Sequence, residues 1–296
     1  MSALQSSPLD TSSLDIYLQP HSDDVCFSLG AFAWRRHRGI LLTACPVSGH
    51  VPLRPDGTRP SADWVTRTRI AEDRAFAEQC GLHTEFVELP DSAFLGHHPF
   101  DLSRVEENLQ RIESPLLGAL LTARPSKLSS GRPWLFCPSG IGGHVDHVAM
   151  RMLVNQNYDR ISRCYCIGFY EDLYYASSAD TRIVGINSLL EDARGHQLRR
   201  YVFPFGKDIS RKLALIQLYR SQFLTMPTSA ERFTPAIGTP SAPHEAIWSD
   251  EPAGPLIQSW FGRLGRRWWR WWAAQRYGLP RIAIQRPAGW LGHLHS

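Results

Sequence analysis

Two spacings of apolar residues alternate along this chain. Short β-branched and aromatic runs bounded by turn formers recur at residues 15–18, 40–45, 85–89, 134–137 and 164–170, and each reads as a strand. Between them the apolar positions fall three and four apart. This predicts helices over 63–80, over 101–123 with an interruption at Pro115, and over 146–158, and the run KDISRKLALIQLYRSQF adds one at 207–223. Asp63 is placed to cap the first of these and Gly81 to end it, because an aspartate oxygen accepts orphan N–H groups and glycine tolerates a left-handed backbone. Strands that are apolar throughout and separated by helices belong to a sheet covered on both faces. The expected fold class is therefore α/β: a Rossmann-like, doubly wound, mostly parallel sheet. No internal repeat appears.

The pattern weakens at two loops and at both ends. Residues 1–13 read as disordered or extended. Residues 49–62 (GHVPLRPDGTRPSA) follow the second strand as a loop, and 225–255 are rich in proline, serine and glycine, a length expected of a lid, a wrapping loop or disorder. The expected organisation is a catalytic domain over 14–225, followed by a Pro-rich loop and a helical extension over 226–296 packed on that domain. Within the extension, SWFGRLGRRWWRWWAAQ (259–275) gathers Trp260, Phe261, Leu264, Trp268, Trp271 and Trp272 on one helical face and Arg263, Arg266, Arg267 and Arg270 on the other. Such a face packs on the same domain, lies at a membrane surface or meets a protein partner.

Composition narrows the classes further. The chain has 296 residues, 43% of them hydrophobic, enough for one large domain or two modest ones. Its formal net charge of +4 is spread along the chain, so nucleic acid is not an expected partner. The six cysteines are scattered through apolar runs without a C-x-x-C pair and read as reduced core residues. Neither a leader-like N-terminus nor an apolar run of about 18 residues is present, which places the protein in the cytoplasm. The oligomeric state is not encoded in any motif.

The chemistry lies just past the strands, where ligands bind in open parallel sheets. The segments there are PHSDD (20–24), LPD (89–91), PSGIGGHVDH (138–147) and YED (170–172). His21 and Asp24 can aim at one point from a tight turn, and His147 can join them from another loop. Two imidazoles and a carboxylate suit a catalytic Zn2+ with an open position for water, and suit Fe2+ as well. Asp23 diverges from Asp24 along the turn and is free to act as general base and then acid on the attacking water. His144, paired with Asp146, would stabilise an oxyanion as a cation, while Asp146 also fits a helix N-cap. The glycines at 140, 142 and 143 match no phosphate-binding spacing. A non-haem iron(II) oxygenase would use the same donors, usually on an antiparallel barrel. A carbohydrate-binding protein without activity would have no need of Asp23.

Taken together, HSDD at 21–24, R-x-x-E at 69–72, LPD, GGHVDH at 142–147, FYEDLYY at 169–175 and YRSQ at 219–222 resemble the LmbE/PIG-L family of zinc-dependent N-deacetylases. The resemblance extends over roughly residues 14–225 and implies an amidohydrolase that removes an N-acyl group, acetyl first, from an amino sugar or sugar-bearing metabolite or glycoconjugate. It implies the same roles for His21, Asp24, His147, Asp23, His144 and Asp146, and substrate contacts for Arg69 and Asp91. One departure stands out: the family usually has proline where this chain has Ser22, which removes a fixed φ from the ligand turn.

Overall fold

The computed structural model describes residues 14–48, 57–122, 132–193, 195–223, 230–236 and 243–252. The chain divides at residue 253, and the tryptophan- and arginine-rich stretch at 259–275 lies outside the described residues, as do 1–13 and 49–56. The elements run β1 (Ile16–Gln19), α1 (Asp24–Arg36), β2 (Gly39–Thr43), α2 (Ala62–Cys80), β3 (Leu82–Phe86), α3 (Val105–Thr122), β4 (Trp134–Pro138), α4 (Val145–Gln156), α5 (Tyr158–Ile161), β5 (Cys166–Tyr170), α6 (Ala179–Asp192), β6 (Arg199–Pro204), α7 (Ile209–Ile216), α8 (Arg220–Phe223) and β7 (His244–Ser249).

The seven strands form one sheet in the order β3-β2-β1-β4-β5-β7-β6. β1, β2, β3, β4 and β5 pair in parallel, whereas β7 runs antiparallel to both β5 and β6. The strand order reverses between β1 and β4, which makes the gap past their carboxyl ends a topological switch point. β1, β2 and β4 are buried at every position, as their continuous apolar runs require.

The elements differ from the expected ones at instructive places. Ser61, not Asp63, caps α2, its hydroxyl accepting from the Trp64 N–H at 3.3 Å. Gly81 does end the helix, at φ 62. α3 runs through Pro115 without interruption. A helix-interior proline costs about 3 kcal/mol, but burying Ile112, Leu116, Leu117 and Leu120, each within 7% exposure, returns roughly 1.5–3 kcal/mol apiece. The stretch at 225–255, expected to be irregular, supplies β7, which joins β6 to the rest of the sheet.

Every residue of α1 from Asp24 to Ala33 is buried. The helix is also broken at Leu29 (φ −130°, ψ 17°). A buried ion pair fills the break. Lys212 Nζ donates to the carbonyls of Cys26 (2.9 Å) and Phe27 (2.7 Å) and to Glu245 Oε1, while the Glu245 carboxylate accepts from the Ala31 (2.9 Å) and Phe32 (2.7 Å) N–H groups. Side chains from α7 and β7 thus replace backbone hydrogen bonds that the break removes. All six cysteines are free, five of them buried. No helix among the described residues is long and apolar enough to cross a membrane.

Candidate active site

The turn after β1 carries His21 to Asp24, and the turn after β4 leads into α4 with His144, Asp146 and His147. Because β1 and β4 are neighbours at the switch point, the two motifs meet. Asp24 Oδ2 lies 3.3 Å from His21 Nδ1 and 3.4 Å from His147 Nε2. It also accepts the His21 N–H at 2.9 Å, which closes the turn. The ring nitrogens of His21, His144 and His147 lie within 4.8 Å of one another, so the imidazoles form one cluster.

Each inward-facing imidazole is gripped from behind by a carboxylate. His147 Nδ1 is 2.8 Å from Asp172 Oδ1, and Asp172 Oδ2 accepts from the Ser139 hydroxyl (2.7 Å) and the Ile141 N–H (2.9 Å). His21 Nε2 is 3.0 Å from Asp146 Oδ2, which also accepts the Ser92 N–H at 3.0 Å. This pairing fixes which ring nitrogen of each histidine faces the cluster, as in carboxylate–histidine–metal triads. The donor set and its outer partners therefore fit a divalent cation. Burial pulls the His21 pKa down, but the Asp146 and Asp24 carboxylates outweigh it and raise the imidazole to about 10. His147 is raised in the same way, against burial, by Asp24 and Asp172. Asp24 is held well below the usual carboxylate range, against its burial, by the two imidazoles. Such concentrated, opposed charge is what a cation exchanging with the imidazole protons would neutralise.

Asp23 caps α1 in position only. Its backbone sits at φ 119°, and its side chain makes no capping hydrogen bond. Burial raises its carboxyl to about 8, partly offset by the Arg69 guanidinium and reinforced by Asp24. Its Oδ2 stands 3.4 Å from Arg69 NH2.

His144 and Asp146 are arranged differently from the expectation. His144 is the N-cap of α4, its Nδ1 accepting from the Asp146 N–H at 3.3 Å. The Asp146 carboxylate lies 4.0 Å from that nitrogen and is engaged by His21, Ser92 and Arg111 instead. Burial, with the neighbouring His21 and His147 charges, holds His144 well below the usual histidine range. With Nδ1 accepting a backbone N–H, Nε2 is the ring nitrogen left to donate. Arg69 and Asp91 are each 3% exposed. Arg69 is bound to the Ser22 carbonyl (2.6 Å), the Ser48 hydroxyl (3.2 Å) and Asp23, whereas Asp91 caps its own turn by accepting the Phe94 N–H at 2.6 Å.

No family model matches the chain. A curated protein, 2'-N-acetylparomamine deacetylase of Streptomyces fradiae, is 28% identical over 267 residues, covering 81% of this chain and 90% of that protein. A deacetylase of the teicoplanin biosynthesis pathway, solved in complex, has a TM-score of 0.56 at 16% identity and covers 79% of this chain and 96% of its own. The A40926 pseudoaglycone deacetylase has a TM-score of 0.51 at 16% identity over 80% of this chain and 97% of its own. A zinc-inhibited form of the teicoplanin deacetylase gives 0.54 at 15% identity over 79% and 96%. The fold is that of the LmbE-like deacetylases.

Where the resemblance leads to the expectation of a proline, Ser22 supplies a tether instead. The Ser22 hydroxyl donates to Asp73 Oδ2 at 2.8 Å, a long-range bond to α2 and not a local one. The fully buried Asp73 also accepts from Gln19 (3.0 Å), Thr43 (2.9 Å) and Tyr219 (2.9 Å), so β1, β2, α2 and the start of the YRSQ segment hold the ligand turn together. Asp73, Asp172 and Ser92 were not singled out by sequence reasoning. The YED and LPD turns mark the neighbourhood of Asp172 and Ser92, but nothing in the spacing assigns them their partners.

Proposed function

We propose that this chain is a metal-dependent N-deacetylase that hydrolyses an N-acyl group, acetyl in the first instance, from an amino sugar within a sugar-bearing metabolite or glycoconjugate. The observation that carries the reading is the convergence of His21 Nδ1, Asp24 Oδ2 and His147 Nε2, with Asp146 and Asp172 behind the imidazoles and a proton-accepting Asp23 beside them. The deacetylase relative and the deacetylases that share the fold support it.

His21, Asp24 and His147 would hold the cation, Zn2+ or another divalent ion such as Fe2+. When bound, it supplies Lewis acidity that makes water nucleophilic near neutral pH. Asp23 takes a proton from the attacking water and delivers it to the departing amine, a double duty for which a carboxyl raised towards neutrality is suited. Arg69 keeps Asp23 aimed through its contacts with both the carboxylate and the Ser22 carbonyl. His144, with Nδ1 occupied as an acceptor, offers its Nε2–H to the developing oxyanion.

The test is bound-metal stoichiometry by elemental analysis on wild type and His147→Ala, with acetate release from N-acetyl amino sugars followed on the same samples. About one divalent ion per wild-type chain, lost in the variant together with acetate release, is the expected result. A wild-type chain that holds no metal even after reloading would remove the hydrolase mechanism and leave a carbohydrate-binding protein on the same fold.

A further inference from the structure

The site opens beside a closed cycle of four rings. The centroids of His144 and His147 are 5.1 Å apart, Tyr175 stands 6.3 Å from His147 and perpendicular to it, Phe100 is 6.2 Å from Tyr175, and 5.8 Å from Phe100 to His144 completes the cycle. Two corners belong to the imidazole cluster. The other two begin a wall that the hydrolytic mechanism does not use. Tyr174 extends it, stacked on Tyr175 at 5.0 Å. The outer members face solvent, Phe100 being 46% and Tyr174 37% exposed.

This wall is held in place by backbone. Gly142 sits at φ 101°, and a Cβ there would lie 2.5 Å from the Tyr175 ring, so the glycine is the seat of that ring. The Val145 N–H donates to the Pro99 carbonyl at 2.8 Å and ties the Phe100 segment to the first turn of α4. The Ala176 N–H donates to the Asp172 carbonyl at 2.8 Å and ties the two tyrosines to the residue that grips His147. Aromatic faces fixed in this way offer a broad apolar surface at little entropic cost. A polycationic glycoside would call for free carboxylates, but Asp101 and Glu107 in the same segment are paired with Arg104. What this edge offers a ligand is aromatic.

We propose that Phe100 and Tyr174, the one at 82° and the other at 27° to the Tyr175 ring between them, form an angled platform for the apolar aglycone of an N-acylated amino-sugar glycoside, with the sugar between that platform and the cluster of His21, Asp24 and His147. The proposal rests on the deacetylase reading and narrows its substrate to glycosides with an apolar substituent, in preference to free amino sugars or polyamine glycosides.

The experiment uses the full-length, metal-loaded protein with two substrates, free N-acetylglucosamine and its 4-nitrophenyl glycoside, in wild type, Phe100→Ala and Tyr174→Ala. Acetate release gives kcat and KM, and calorimetric titration of the metal-free proteins gives binding without turnover. Wild type is expected to prefer the aryl glycoside at least tenfold in kcat/KM. Each variant should lose about tenfold on that substrate through KM and in the calorimeter, and stay unchanged on the free sugar. Equal kcat/KM on both substrates in wild type, or equal losses on both in the variants, would overturn the platform. Turnover of neither substrate removes the deacetylase reading alone; the calorimeter then decides, and equal binding of the aryl glycoside by wild type and both variants, or by none of them, overturns the platform as well.

Discussion

Asp23 combines a backbone at φ 119° with a carboxyl that burial raises to about 8, against Arg69 and with Asp24. A carboxyl raised on folding contributes stability that is present below its unfolded pKa, near 4, and is lost as pH climbs through its folded value. Asparagine does not titrate. In the metal-free protein, Asp23→Asn should therefore gain Tm relative to wild type between pH 5 and pH 8, by at least a few degrees at about 2–4 °C per kcal/mol, measured by thermal unfolding in chelator. The loaded variant should keep its metal and lose on the order of 100-fold or more in kcat. Asp172→Asn should act oppositely, weakening metal affinity by about 10–100-fold as read by competition with a chelating dye. His21, Asp24 and His147 were legible because the spacing within H-x-D-D and H-x-D-H already gathers donors in each turn. Asp172 was not, because its meeting with His147 is set by the parallel register of Cys137 with Phe169 and Pro138 with Tyr170, which runs the two following turns side by side. The lowered pKa of His144 was equally hidden, since it depends on burial and on His21 reaching it across the switch point, with His147 adding its charge from the same turn.

At the level of elements, β1, β2, β4 and β5 could be read because strands buried on both faces are continuously apolar, whereas β3, expected at 85–89, lies at Leu82–Phe86, where LHTEF alternates between buried or half-buried and exposed positions. α1 was not read: its first ten residues are buried, and the Leu29 break interrupts it part-way. The Lys212–Glu245 pair in that break joins residues 33 apart on α7 and β7, and nothing local announces it. Lys212→Met should cost about 3–5 kcal/mol in urea unfolding, because it leaves the Glu245 carboxylate buried without its cation. Lys212→Met with Glu245→Leu should recover part of that loss. β7 was read as part of a loop because proline and serine on either side mask a six-residue strand whose neighbours come from distant sequence.

For the whole molecule, the site exists because the sheet reverses its order between β1 and β4 and leaves two loops facing each other. The three donors belong to both halves of the sheet, so a bound cation should clamp them. Adding a divalent ion at about 100 times its dissociation constant should stabilise the fold by about 2.7 kcal/mol, and stripping it with chelator should lower Tm by on the order of 5–10 °C. An unchanged Tm on chelation would mean the cluster does not bind the ion tightly. The doubly wound class follows from the recurrence of strand and helix, but the antiparallel β5-β7-β6 edge does not, since β6 and β7 are joined by the very stretch whose pattern is weakest.

His21 and Asp146 meet across 125 residues of chain. Their contact, and the donor cluster it orients, can form only after β1 has found β4, a long-range closure of the kind that slows folding. A cation bound there would therefore act as a clock: in stopped-flow refolding, metal uptake should trail the appearance of helix and coincide with closure of the central strands.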